Sequence, residues 1–361
     1  MDLISRVGAW ALRMPRVLVV DAPGNDELRW GTEAELDRRG WPPAVAPADT
    51  DLLVVLGEPG PELAAAIELV WSQVPAPRAR VRLRPGERIG EALDAGRAGL
   101  QARVRPGADD SRPSPESLLG MQEHGDEGME QMDQMEHMDH GGGDEGMEQM
   151  DHMDHMHHGG EVAGLPMAQT GPDRDGLELD ALKVSLGPVL PGWPTGLVLR
   201  AELHGDVLTA PELSWLDAES LPAPARLDPR RAALDQLARF LLVAGWPTAA
   251  RDARRARDGL DPADPADPVD PAAEVLAGRL ARRVLRSRAL AWTAAGGSVG
   301  DLVRHWCEVA AGRAAADGAT PSLAAVAGLV DGAEIGTARL VVAAHAIRPL
   351  TAHPSAEPAR A

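Results

Sequence analysis

Residues 126–143, DEGMEQMDQMEHMDHGGG, are followed directly by residues 144–161, DEGMEQMDHMDHMHHGGE. These two copies are written with six residue types, Asp, Glu, Gln, His, Gly and Met, so they bring no aliphatic or aromatic side chain to a core. Residues 121–160 hold six Asp and six Glu and no Lys or Arg, which places 12 of the 19 net negative charges in that one stretch. Such a segment cannot bury enough apolar area to offset the entropy of ordering it. The expectation is a chain of 361 residues broken in the middle by a disordered linker, with a folded unit on each side.

The composition of the flanks narrows the function classes. Outside residues 121–160, 43 acids face 36 bases, with no basic stripe evident, so nucleic acid is not an expected partner. Cys307 is the single cysteine. It excludes an intrachain disulfide, a four-cysteine zinc site and an iron–sulfur cluster held on the chain's own ligands. A membrane span needs about 20 consecutive apolar residues, and no stretch of that length is free of charges. The start, MDLISRVGAWALRM, is too interrupted by Asp2, Arg6 and Arg13 for a secretory core. It sets Leu3, Val7, Trp10 and Met14 at helical spacing, as either a helix packed on its own domain or an interfacial helix.

From Pro15 the text reads as α/β. RVLVVDAPG and DLLVVLGEPG are short apolar runs ending in turn residues, the pattern of buried parallel strands. PELAAAIELVWSQVP puts Leu63, Ile67, Val70 and Trp71 on one helical face, ARVRLR gives a third strand, and GERIGEALDAGRAGLQA a further helix. Alternation of this kind implies a parallel sheet covered on both faces. Ligands then bind at the carboxyl ends of the strands, near the loop DAPGNDELRWG, residues 21–31. That loop has neither the glycine spacing of a dinucleotide site nor a P-loop.

Beyond the repeat, LKVSLG and GLVLRAELHGDVL alternate as half-exposed antiparallel strands around the turn PVLPGWP. From Asp228 helices follow: DPRRAALDQLARFLLVAGW, then AAEVLAGRLARRVLRSRALAWTAAG and SVGDLVRHWCEVAAGRAA, with PADPADPVDP as a solvated spacer. His305 and Cys307 stand two apart on a helix and point in different directions, so they read as a surface His and a core thiol. His204 reads as a strand residue beside a turn, and His345 and His353 have no evident partner.

The segment PADTDLLVVLGEPGPELAAAIELVWSQVPAPRARVRL resembles the small, 20 kDa-type subunit shared by respiratory complex I and the membrane-bound energy-converting [NiFe] hydrogenases. In that family, cysteine pairs after the first and third strands hold a [4Fe–4S] cluster. The corresponding places here read Gly24-Asn25-Asp26-Glu27 and Arg84-Pro85-Gly86-Glu87. Residues 164–227 resemble the start of the large, 49 kDa-type subunit, with its Gly-Pro-x-His-Pro motif. Gly187-Pro188-Val189-Leu190-Pro191 matches except at Leu190, where the family has the His that contributes to its quinone pocket. The family's nickel-binding cysteine pairs have no counterpart.

The resemblance implies a flavodoxin-like α/β sheet, a disordered linker and an α+β, mostly helical domain. The divisions fall at 1–14 (amphipathic helix), 15–110 (small-subunit-like), 111–163 (linker), 164–227 (large-subunit-like β region) and 228–361 (helical, with a Pro/Asp spacer at 261–271). It implies a non-catalytic or cofactor-free subunit docked on membrane subunits of a complex I-like assembly, on the cytoplasmic side. A rival reading comes from the repeat itself. Met at 129, 132, 135 and 138, and again at 147, 150, 153 and 156, turns about 300° per step on a helix and forms no packing stripe. Thioether suits Cu(I); imidazole and carboxylate suit Cu(II) or Ni(II). Candidate ligands are Met147, Met150, His152, Met153, Asp154, His155, Met156, His157 and His158. The segment is therefore either a linker between fused modules or a copper- or nickel-binding arm of a buffer or chaperone.

Overall fold

The computed structural model describes residues 12–103, 161–162, 165–166, 169–172, 178–222, 226–261, 269–293, 298–316, 321–345 and 347–349. The expected N-terminal helix up to residue 11, nearly all of the repeat with its candidate metal ligands, and most of the Pro/Asp spacer lie outside the described residues.

Three parallel strands, β1 (Val17–Asp21), β2 (Leu52–Leu56) and β3 (Ala79–Leu83), pair in that order, with Val17 opposite Leu52 and Leu52 opposite Ala79. Every side chain of β2 is buried, as a central strand covered on both faces requires. Helices α1 (Asp26–Arg39) and α3 (Ile89–Arg103) cover one face, where Leu36, Leu93 and Leu100 meet Val17, Leu52, Val54 and Leu56. Helix α2 (Pro61–Gln73) covers the other, where Leu63 and Ile67 meet Leu18, Val20, Leu53 and Val55. Double coverage fails only at the edge strand β3, whose Arg82 is exposed. Within residues 21–31 the sequence allows a helix start at Asn25, and Asn25 is the N-cap of α1, whose first turns are residues 26–31.

After α1 the chain does not pass straight to β2. It lays an extended segment on the free edge of β1, where Val17 N donates to Pro42 O at 3.0 Å and Ala44 N donates to Val17 O at 2.8 Å. It then crosses back through a 3₁₀ turn, Pro47–Asp49. Winding therefore reverses between β1 and β2, the switch point of a doubly wound sheet.

The second part opens with a short hairpin, β4 (Glu161–Val162) and β5 (Leu165–Pro166), and a four-stranded antiparallel sheet. That sheet comprises β6 (Gln169–Pro172), β7 (Glu178–Leu186), β8 (Leu197–His204) and β9 (Val207–Trp215). The run GLVLRAELHGDVL is thus two strands, turning at Gly205. Among the described residues seven helices follow: α4 (Pro229–Val243), α5 (Pro247–Gly259), α6 (Pro271–Leu285), α7 (Arg288–Thr293), α8 (Val299–Ala310), α9 (Leu323–Val330) and α10 (Ile335–Ala344). Asp228 caps α4, its carboxylate accepting from Arg231 N at 2.9 Å. Leu234, Leu237 and Leu241 of α4 sit at the centre of a core that also takes Leu197, Leu199 and Leu208 from the sheet. The fold is an α/β parallel-sheet unit followed by an α+β, mostly helical one.

Two smaller expectations change. His305 is half-buried with its Nε2 shut off from water, so it is not a surface His, while Cys307 is a core thiol as its spacing implied. A basic stripe does exist: α6 carries Arg279, Arg282 and Arg286 on one exposed face, which averaging over the chain conceals. Among the described residues no helix is long and apolar enough to cross a membrane.

Candidate functional site

The two parts meet across a buried ionic cluster. Asp26, Arg29 and Glu33 stand three and four residues apart on α1, which puts them on one face. Asp235 and Arg239 are similarly placed on α4, and Arg257 ends the buried face of α5. Arg29 grips Asp235 with both terminal nitrogens, Nη1 to Oδ1 at 3.0 Å and Nη2 to Oδ2 at 2.7 Å, the two-pronged geometry that suits guanidinium and carboxylate. Its Nε donates to Asp21 Oδ2 at 3.2 Å, its Nη1 to Glu33 at 3.1 Å and its Nη2 to Asp26 at 3.2 Å. Arg257 Nη1 joins Asp235 Oδ1 at 2.7 Å to Glu33 Oε2 at 2.8 Å. Arg239 Nε approaches Asp235 Oδ2 at 3.3 Å, and Thr195, from the proline-rich turn before β8, donates to Asp21 Oδ1 at 2.8 Å.

Arg257 is fully buried, and Arg29, Asp235 and Asp21 are each under 9% exposed. Burial by itself pushes Asp235 up, yet Arg29, Arg239 and Arg257 outweigh it and hold the carboxyl well below the usual aspartate range. Glu33 is lowered in the same way, Arg29 and Arg257 overriding burial. Asp21 behaves oppositely: burial wins over Arg29, Arg239 and Thr195 and raises it. Beside the cluster, Trp30 is buried and meets two guanidiniums, with Arg231 Cζ at 4.8 Å and Arg257 Cζ at 5.3 Å from the ring centre.

A second junction lies at the switch point. Asp217 extends its carboxylate to the first turn of α2, accepting from Glu62 N at 2.9 Å and Leu63 N at 3.0 Å. Glu62 returns the contact by accepting from Asp217 N at 2.6 Å. This is a reciprocal capping box assembled from two distant parts of the chain. It needs glycine at position 60, because a Cβ there would lie 2.3 Å from the Asp217 side chain. Asn25 similarly occupies the space above Gly57 and donates to Ala22 O at 2.9 Å. The N-terminus of α2, one of the places at this edge where an anion could sit, is thus taken by the chain's own carboxylate.

Next to the ionic cluster is a cavity of about 160 Å³ between β1, the 41–45 segment, the proline-rich turn and α4. Val17, Val19, Leu36, Trp41, Leu190 and Leu242 form apolar walls, and Asp21, Glu33, Asp235 and Arg239 form its charged end. Leu190, the departure from the Gly-Pro-x-His-Pro pattern, therefore lines the cavity with a side chain that has no ionisable or hydrogen-bonding group.

The candidate metal ligands Met147, Met150, His152, Met153, Asp154, His155, Met156, His157 and His158 lie outside the described residues, and the geometry bears on none of them. Among the described residues no three His, Cys, Asp or Glu side chains converge to hold a metal. Nor do the residues fit an iron–sulfur cluster. Cys307 is the chain's only thiol, and it is buried within α8, where burial pushes it up to about 12. His345 has a partner after all: its Nδ1 lies 2.7 Å from Val341 O. Sequence reasoning missed the cluster. The available signal was the spacing of Asp26, Arg29 and Glu33, and the single acid Asp235 set among Leu234, Leu237, Ala238 and Leu241. No protein-family model, curated protein or solved structure matches the chain.

Proposed function

We propose that the protein is a non-catalytic subunit of a complex I-like or energy-converting-hydrogenase-related membrane oxidoreductase complex, docked on the cytoplasmic side of its membrane subunits. One observation carries the reading. At the carboxyl edge of the parallel sheet, where the resembled family holds its cluster, the chain ties its loops together with its own polar side chains. Asn25 packs over Gly57, Glu58 pairs with Arg82 and Arg84, and Asp217 caps α2. A scaffold whose loops at that edge are tied to one another supports a role in holding other subunits together rather than in moving electrons. Anaerobically purified protein is expected to carry no stoichiometric iron or acid-labile sulfide. Both at one cluster per chain would overturn the reading.

A second reading, a copper or nickel buffer, rests on the concentration of eight Met and six His in the repeat. Overlapping sites without preorganisation give modest affinity and more than one ion per chain. Replacing His152, His155, His157 and His158 with Ala is expected to remove most Cu(II) or Ni(II) binding and to spare Cu(I), as read by titration calorimetry on the full chain. Wild-type protein that takes up neither copper state nor nickel would end this reading.

A further inference from the structure

Helices α6 and α7 present a face that the fold does not use. Along α6, Ala273, Ala277, Leu280, Ala281 and Val284 are buried. On the opposite side, at steps of four and three, Val275, Arg279, Arg282 and Arg286 are all exposed. Leu285, Arg288 and Trp292 continue the surface, and Trp292 is 87% exposed. Between residues 271 and 292 there are five arginines and one acid, Glu274, which is paired with Arg230 at 2.9 Å. Arg283 is paired with Asp252 at 2.9 Å and lies over Trp246. Arg279, Arg282, Arg286 and Arg288 have no ion-pair partner among the described residues. In a chain of net charge −19 this is a concentrated positive patch interleaved with apolar side chains.

An occupant of this surface must offer carboxylates for the guanidinium forks and soft apolar groups for Trp292, Leu285 and Val275. We propose that it is the chain's own repeat, residues 126–161. The repeat supplies 12 carboxylates and eight Met, alternating within a few residues of each other, and no Lys or Arg. It is also tethered. The chain between residues 103 and 161 spans up to about 190 Å when extended, at roughly 3.3 Å per residue, which covers any path across the surface of a protein this size. Tethering holds the repeat at an effective concentration on the order of mM, ahead of an untethered anion. The patch and the repeat are thus two halves of one internal electrostatic contact.

Lys183 is the only lysine and is exposed, which provides an internal reference. In the full chain, Arg282→Lys keeps the charge and adds one amine on the stripe. A carbodiimide that joins amines to contacting carboxylates, followed by peptide mapping, then reads the contact. Lys at 282 is expected to link to acids of residues 126–161 several-fold more than Lys183 does. The yield should drop roughly tenfold between about 0.1 M and 1 M salt as the Debye length contracts from about 10 Å to 3 Å. Adding Arg279→Glu and Arg286→Glu should remove the links while the far-ultraviolet circular dichroism stays unchanged, and Arg286→Lys alone should reproduce them. Equal linking from both lysines, or none from position 282, overturns the proposal. So does flotation of the full chain with phosphatidylglycerol vesicles, if deleting residues 121–160 leaves that binding unchanged and charge reversal of the stripe abolishes it, since the occupant is then a lipid surface.

Discussion

Asp235 accepts from three arginines in a space nearly closed to water. A buried pair of this kind adds little over a well-packed apolar pair, but removing one member leaves the others as uncompensated buried charges. Asp235→Asn keeps the volume and removes the charge facing Arg29 and Arg257. It is expected to destabilise the protein by about 3–5 kcal/mol, read from denaturant unfolding. The pH dependence has a definite sign. Because the folded state depresses Asp235 and Glu33, their contribution is fully present above the unfolded values, about 3.9 and 4.3, and is lost as pH falls through the folded ones. Asp21 runs the other way: the folded state holds its proton more tightly, so ionising it costs stability as pH rises from the unfolded value through the folded one. Asp258, which burial also raises, runs with Asp21, whereas Glu35, Glu58, Asp94 and Glu308 are lowered by their arginine partners like Asp235 and Glu33, so wild-type stability should decline below about pH 4, and Asp235→Asn should flatten that decline. A mutant with an unchanged acid slope would contradict the assignment.

At the scale of elements, the joint between Asp217 and α2 is local enough to test alone. Asp217→Ala withdraws the acceptor for two backbone N–H groups and is expected to cost about 1 kcal/mol. Gly60→Ala should cost more, because its Cβ collides with the cap itself. Thermal melts of the two variants check both the loss and the order. The same scale shows what the sequence makes legible. Strands β1 and β2 stand out as runs of large apolar residues, and helix α2 through Leu63 and Ile67 four apart on its buried face. Helix α5 does not, since its buried face is Ala249, Ala250, Ala253 and Ala256, which periodicity in large apolar residues cannot register. Helix α1 is obscured for a different reason: its buried face includes Arg29, whose partner Asp235 lies 206 residues away and is joined to it only by the fold. The cavity wall was partly legible, through Leu190, and the ionic end was not.

Over the whole molecule, a parallel-sheet unit and a helical unit are sewn together by the ionic cluster, the reciprocal cap and the pairing of Arg255 with Asp37 at 2.7 Å. Core residues cross the joint as well, with Val189 and Leu216 packing against the α2 face of the sheet. A two-part molecule that commits its polar side chains to its own junctions in this way is what supports the proposal of a structural place in a membrane assembly. The assignment is tested most directly by capturing a tagged full-length copy, expressed at its native level, from gently solubilised membranes and identifying what accompanies it. The account predicts recovery in constant ratio with the membrane subunits of a complex I-like or hydrogenase-related complex. Recovery of the chain alone, with no membrane subunit at any ratio, would contradict it.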